Sequence, residues 1–137
     1  MIKKYMKIIT EYTTYTLLEP DYQDDDTRCT ELCTIGDDTY IHVPLDVTLP
    51  SQPEQITLID VDLTDELRSE LKALSPHTRL INARVVEKIR EKYTHDDEFK
   101  MHRKHMQGGA TPETQAYINH VAAAMAWGSA EKGKIGL

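Results

Sequence analysis

Apolar and polar positions follow two different patterns in this chain, and the change falls near residue 63. Before it, short runs dense in Ile, Thr and Tyr are typical of strands. Residues 44–55 carry three prolines and predict extended chain that resists helix formation. The strand candidates are residues 7–19, 39–43 and 55–61, with 27–35 as a further short strand or a loop.

After residue 63 the apolar residues recur at helical spacing. Thr64 is a candidate N-cap for a first helix, whose apolar stripe is Leu67, Leu71 and Leu74. Ser75 is placed to cap a second helix that begins at Pro76, where the missing N–H has no cost. The buried stripe predicted for this second helix is Ile81, Val85, Ile89 and Tyr93.

Two more helices follow. Thr94 with Asp97 forms a capping-box pattern, and Gly108–Gly109 predicts the end of that helix. We expect Phe99 and Met106 to turn inward from it. A fourth helix begins after Thr111–Pro112. Its apolar face has one edge at Tyr117, Val121 and Ala124 and another at Ile118, Ala122 and Met125.

These patterns predict an α+β chain: a small β-rich N-terminal part, residues 1–62 with the proline-spaced linker, followed by about four α-helices in residues 63–137. The length of 137 residues suits one ordinary domain or two small lobes. A content of 39% hydrophobic and 28% charged residues is typical of a folded protein.

Charge is unevenly divided between the two parts. Residues 1–62 hold four Lys/Arg and thirteen Asp/Glu, a charge of −9, whereas residues 63–137 hold twelve and ten, a charge of +2. An acidic half repels phosphates and the other half has mixed signs, so we predict no nucleic-acid partner. No apolar run approaches the roughly 20 residues that cross a bilayer, so we predict neither a membrane span nor a signal peptide.

Three histidines beside three acids, in residues 95–105, raise the question of a metal site. On a helix His95, Glu98, His102 and His105 share one face, as metal ligands do. However, a single stripe does not surround a tetrahedral ion, and Lys100, Arg103 and Lys104 oppose a cation. We therefore predict no resident metal. A small metal-dependent enzyme that uses this helix stays an alternative.

Other sources of chemistry are weaker still. The acid run from Asp21 departs from the EF-hand pattern at its glycine and its final glutamate, which favours a solvated loop. Cys29 and Cys33 lack the further ligands of a zinc site, and nothing marks either as an activated nucleophile. We expect reduced structural thiols. The sequence thus predicts no catalytic residue, no cofactor and no enzymatic activity.

Tyrosines are the candidates for partner contact in the N-terminal part. A tyrosine combines apolar area with a polar tip, which suits interfaces, but half-buried strands use tyrosines as readily. Both interpretations stay open for the four candidates, which are Tyr12, Tyr15, Tyr22 and Tyr40. An uncovered strand edge in this part would also be available for pairing with another chain.

Three stretches carry a resemblance to a known group of proteins: "DDTYIHVPLDVTLPSQPEQI", "ELRSELKALSPHTRLINARVVEKIREKYTHDDEFKMHRK" and "YINHVAAAMAWGSAEKGKIGL". Together they resemble small proteins encoded in the tail modules of tailed bacteriophages and prophages. The resemblance begins near Thr39 and covers about two thirds of the chain. It brings no catalytic residues with it.

The resemblance implies a virion or assembly role. The expected function is that of a minor structural component of the tail or tail-fibre attachment region, located in the virion tail and in the host cytoplasm during assembly. The expected partners are other phage tail or fibre proteins, and a homo-oligomer or symmetric assembly is expected. An assembly chaperone that is absent from the mature particle is the alternative.

Overall fold

A computed structural model of the protein describes residues 1–20 and 28–137. The fold is α+β, as the sequence predicts, with antiparallel strands preceding four helices. The strands are β1 (Ile2–Met6), β2 (Ile8–Ile9), β3 (Thr14–Tyr15), β4 (Thr30–Ile35), β5 (Asp38–His42) and β6 (Ile59–Asp60). The helices are α1 (Asp65–Leu74), α2 (Pro76–Arg90), α3 (His95–Gly108) and α4 (Pro112–Lys134).

Four of the strands form one antiparallel sheet in the order β4-β5-β1-β6. β4 and β5 make a hairpin that turns at Gly36, whose φ of 62° is in the left-handed region that glycine tolerates best. The register shifts between Glu31 and Cys33, a β-bulge in the edge strand. β2 and β3 form a separate two-stranded hairpin.

Both faces of the sheet are covered. On one face Tyr5 and Ile41 are buried together with apolar residues of the chain on either side, which are Leu17, Cys29, Val43 and Ile56. On the other face Ile2 and Tyr40 pack with Leu32, Leu71 and Leu137. Side chains of paired residues point to the same face of a sheet, and successive residues of a strand point to opposite faces. Lys3 is paired with Ile41 and Lys4 with Tyr40, so Ile41 and Tyr40 lie on opposite faces.

The proline-spaced linker contributes to the first of these cores. Val47 and Leu49 of the linker pack against this core, and just after the linker Ile56 is buried in it and Leu58 packs against it. The linker also binds the chain near β3, because the Gln52 amide accepts a hydrogen bond from the Leu18 N–H at 2.8 Å and donates one to the Leu18 carbonyl at 2.9 Å. This extended segment therefore covers one face of the sheet, while α1 covers the other through Leu71.

The helix ends mostly follow the predicted capping. Thr64 accepts a hydrogen bond from the Leu67 N–H at 3.2 Å, and Thr94 with Asp97 forms the capping box. α3 ends at Gly109, with φ of 69°. Ser75 is an exception, because its buried Oγ has no hydrogen-bond partner among the described residues. It ends α1 through its backbone N–H, so the prediction that its side chain caps α2 is wrong.

The chain divides into two compact units. Unit 1 comprises residues 1–78 and 134–137, and unit 2 comprises residues 79–133. α1 and the first turn of α2 thus belong with the sheet, which moves the division away from the change in sequence pattern at residue 63. Unit 1 holds seven Lys/Arg and sixteen Asp/Glu, a charge of −9, and unit 2 holds nine and seven, a charge of +2.

Unit 2 consists of the rest of α2 with α3 and α4. Its predicted stripe on α2 is only half-buried, although Ile81 and Val85 do approach α4 at Gly128. On α4 the edge at Tyr117 and Ala124 is buried, whereas Ile118 and Met125 on the second edge are exposed. Among the described helices, none has the length and apolar character that a membrane span requires.

Candidate interaction surface and the histidine helix

Among the described residues of the N-terminal region, the most exposed aromatic side chain is on the β2–β3 hairpin. Its turn is closed by the Thr10 N–H, which donates to the Thr13 carbonyl at 2.7 Å, and by the Thr13 N–H, which donates to Thr10 Oγ1 at 3.0 Å. These bonds fix the conformation of the tip. Tyr12 at that tip is 90% exposed and Ile9 beside it is 75% exposed.

The hairpin is anchored at its base. Tyr15 is half-buried and packs against the core that contains Tyr5. The Tyr5 hydroxyl lies 3.0 Å from Thr16 Oγ1, so the returning strand is hydrogen-bonded to the main sheet. Because the hairpin is anchored at its base and its turn is hydrogen-bonded, the backbone that carries Ile9 and Tyr12 is already ordered. Binding of a partner therefore loses less conformational entropy.

The three predicted partner-binding tyrosines among the described residues are not brought together. Tyr12 is at the surface, and Tyr15 is at the hairpin base. Tyr40 is only 8% exposed in the second core, so little of its ring can contact a partner, and its role as a partner contact stays a prediction. Its neighbours on β5 are buried because both faces of the strand are covered. Tyr22 lies outside the described residues.

Sequence reasoning did not single out Ile9, which accompanies Tyr12 at the surface. The pattern predicts one strand over residues 7–19, in which an apolar residue is expected to be half-buried. Residues 10–13 contain no Gly, Pro, Asn, Asp or Ser, so composition gives no clear signal for the turn there.

On α3 the acid of the histidine stripe is already engaged. The Glu98 carboxylate accepts a hydrogen bond from the Tyr117 hydroxyl at 2.7 Å and another from Arg90 Nη1 at 2.7 Å. The Tyr117 hydroxyl and the Arg90 guanidinium together hold the pKa of Glu98 below its usual range. Burial and the Glu98 charge raise the pKa of Tyr117 to about 12, so it remains a hydrogen-bond donor at neutral pH.

Two of the histidines contact the hydrogen-bond donors of this carboxylate. His95 Nδ1 lies 2.9 Å from Arg90 Nη2, and His102 Nε2 lies 3.4 Å from the Tyr117 hydroxyl. The guanidinium therefore lies against both His95 and Glu98, where its charge opposes a metal ion. Within the described ranges, no group of three or more His, Cys, Asp or Glu residues is arranged to hold a metal.

Aromatic contacts extend the network on α4. The Tyr93 and Tyr117 rings meet edge to face, with centroids 4.9 Å apart, and the His102 ring meets Tyr117 at 5.6 Å. His120 Nε2 lies 2.7 Å from the Lys88 carbonyl oxygen, and Lys88 Nζ stands 4.6 Å above the Trp127 ring. Polar and aromatic contacts thus hold the helices of unit 2 together.

The apolar side of α3 faces solvent, contrary to the prediction. Phe99 is 70% exposed and Met106 is 86% exposed, and no residue of α3, which is described over its whole length, is buried. The side of α3 that faces α2 and α4 carries Glu98, which is bonded to Arg90 and Tyr117. With Arg103 between them, Phe99 and Met106 form one outward stripe at positions i, i+4 and i+7.

The two cysteines lie in unit 1. Cys29 is buried in the first core and Cys33 is half-buried near the second. Burial, with a smaller effect of the Glu70 charge, raises the pKa of the Cys33 thiol. A raised pKa keeps the thiol protonated at neutral pH and so lowers its nucleophilic character.

Comparisons with protein-family models, curated proteins and solved structures gave no match to this chain.

Proposed function

We propose that this chain is a non-enzymatic phage virion protein, a minor structural component of the tail or tail-fibre attachment region that acts through protein–protein contacts. The phage origin rests on the sequence resemblance. The mode of action rests on one observation, the β2–β3 hairpin that presents Ile9 and Tyr12 to solvent from an anchored base. Aromatic side chains on a pre-ordered support are what protein interfaces favour.

The charge distribution agrees with this mode of action. Unit 1 carries a charge of −9, and Glu11 stands next to Tyr12 in the hairpin turn. An apolar tip in an acidic surrounding selects a partner that offers apolar area among basic groups. The acidic charge also slows association with like-charged surfaces, including nucleic acid.

The test is mass spectrometry of purified particles of the phage that encodes the chain. A structural component is expected in a fixed copy number compatible with tail symmetry, because closed interfaces fill completely. Tyr12→Ala should lower that copy number. Leu45→Ala is the matched control, since Leu45 is equally exposed in the same unit but lies outside the hairpin. Particles that assemble normally without the chain, and never contain it, contradict the proposal.

An assembly chaperone is the second form of the same proposal, since a chaperone uses the same exposed surface for a temporary contact. In that case the chain is missing from finished particles but copurifies from infected cells with a tail or fibre protein. The hairpin variant Tyr12→Ala should then lose the copurifying protein while Leu45→Ala retains it.

A further inference from the structure

Two exposed apolar sites, one in each unit, have neighbouring charges of opposite sign. The first is the hairpin tip with Ile9 and Tyr12, and the second is the outward stripe of α3 with Phe99 and Met106. These four side chains are all at least 70% exposed. Exposed apolar residues of this size that cluster in pairs mark interaction sites more often than scattered ones do.

The charges beside the two sites are complementary. Glu11 lies between Ile9 and Tyr12 in the hairpin turn, inside a unit of charge −9. Arg103 lies between Phe99 and Met106. Residues 99–107 contain two further basic residues, Lys100 and Lys104, and no acid, and Lys104 is ion-paired with Glu113 of α4. An acidic apolar tip and a basic apolar stripe attract each other, whereas two hairpin tips or two stripes repel.

We propose that the hairpin tip of one chain docks on the α3 stripe of a second copy of the same chain. Tyr12 and Ile9 would pack against Phe99 and Met106, with Glu11 facing Arg103. The contact uses two different surfaces, so it is head-to-tail and joins chains into a ring or a filament. This inference rests on the proposed function and names the partner of the hairpin surface.

The size of the contact sets its expected strength. An aromatic side chain buries about 150–250 Å² when it is covered, so the four side chains together bury on the order of 600 Å². Stable pairwise interfaces bury roughly 1,200–2,000 Å² in total, so a single contact of this kind is weak. Ring closure gives every chain two such contacts and makes the assembly more stable than any one of them.

α4 offers the next apolar surface, with Ile118 and Met125 exposed. Residues 114–130 contain no Asp, Glu, Lys or Arg, so no charge there selects a partner. The hairpin and the α3 stripe are therefore the pair that the charges identify.

The experiment is sedimentation analysis of the full chain and two single variants, Tyr12→Ala and Phe99→Ala. The wild-type chain should associate as its concentration rises from about 10 µM to about 1 mM, the range expected for a weak contact. Each variant alone should lose association by at least tenfold. Both residues are largely exposed, so the fold should tolerate the change, which circular dichroism checks. Leu45→Ala and Met125→Ala, two exposed controls, should behave as the wild type does.

Mixing the variants decides the geometry. A chain with Tyr12→Ala keeps its α3 stripe and a chain with Phe99→Ala keeps its hairpin, so an equimolar mixture should form dimers and nothing larger. The charge reversals Glu11→Arg and Arg103→Glu should each weaken association, and the chain that carries both should recover it.

Three results overturn the inference: a wild-type chain that stays monomeric, variants that associate normally, and a mixture that remains monomeric when each variant does. The outcome is separable from the proposed function, because a chain that is monomeric in solution but present in particles at fixed copy number keeps its tail role and loses only this contact.

Discussion

The two units of the chain are stabilised in different ways. Unit 1 places buried apolar clusters on both faces of a four-stranded sheet. Unit 2, which is described throughout, buries only Thr114, Tyr117, Ala124 and Gly128, and α3 is held through Glu98 and its hydrogen bonds. The stabilisation from apolar burial depends neither on pH nor on bond geometry. The hydrogen bonds of a carboxylate depend on their geometry and on the ionisation of the carboxylate. The larger core therefore lies in the acidic unit, although the sequence signal is clearer for helices than for strands.

The largest expected effect tests the core of unit 1. Leu71 on α1 is fully buried against the sheet, so Leu71→Ala should lower the free energy of unfolding by about 2–5 kcal/mol. Leu74→Ala, one turn later on the same helix, is the control: Leu74 is exposed, and its truncation should cost less than about 1 kcal/mol. Denaturant titration of both variants measures the difference. Equal costs would mean that α1 does not form that core.

The next effect tests the packing of α2 against α4 at Gly128, within unit 2. A Cβ added at Gly128 would lie 2.5 Å from Val85 Cγ2, so Gly128→Ala should destabilise the chain by about 1–3 kcal/mol through overpacking. Gly133→Ala in the same helix meets no atom within 4 Å and should stabilise the chain by about 0.5–1 kcal/mol through helix propensity. Thermal melts of the two variants should shift in opposite directions. A stabilised Gly128→Ala chain would show that α2 and α4 are packed less closely at this point.

A smaller effect tests the carboxylate network. Tyr117→Phe removes one hydrogen bond to Glu98 and should cost about 1 kcal/mol. Hydrogen exchange should then increase in α3 more than in α1.

The same network predicts a pH dependence. Because the folded-state pKa of Glu98 is lowered, its contribution to stability is present above the unfolded value of about 4.5 and is lost as pH falls through the folded value. The chain with Glu98→Gln should lose this part of the decline in stability at acidic pH. If its stability at acidic pH declines as that of the wild type does, Glu98 does not have this role.

The smallest expected effect is a pH dependence in unit 1. Burial lowers the pKa of His42, whose Nδ1 is buried without a partner among the described residues. The unfolded chain therefore binds a proton more readily, so stability should decline as pH falls from about 6.5 towards the lower folded value. His42→Gln should flatten this slope between pH 7 and pH 5, and the exposed His77→Gln should leave it unchanged. Equal slopes in the wild type and His42→Gln would place the titration elsewhere.

The strands show where sequence reasoning succeeds and where it stops. β5 was predicted at residues 39–43, and the alternative of a strand in residues 27–35 was confirmed as β4. β1 was missed, because its residues Ile2 to Met6 show no clean alternation of apolar and polar positions. Ile2 is buried on one face of β1 and Tyr5 on the other. The two positions between them are Lys3 and Lys4, which are half-buried and ion-paired with Asp60 and Asp38. The 7–19 candidate is interrupted at the Thr10–Thr13 turn and gives only two short strands.

The candidate site shows the same limit. Tyr12 was named from composition and is at the surface, but composition alone did not separate it from Tyr40, which is buried. The histidine stripe was recognised correctly as one face of a helix. What it faces is Tyr117 and Arg90, which lie 19 and 8 residues away from Glu98 in sequence, and periodicity carries no information about such partners.

The sequence by itself determined the α+β class, the helix starts at Thr64, Pro76 and Thr94, and the end at Gly109, because caps and turns depend on hydrogen bonds and backbone preferences within a few residues. Only the tertiary structure decided which side of α3 faces inward and which face of each strand is covered. Those outcomes depend on contacts between distant residues: Glu98 bonds to Arg90 and Tyr117 on one side of α3, and Phe99 and Met106 lie exposed on the other.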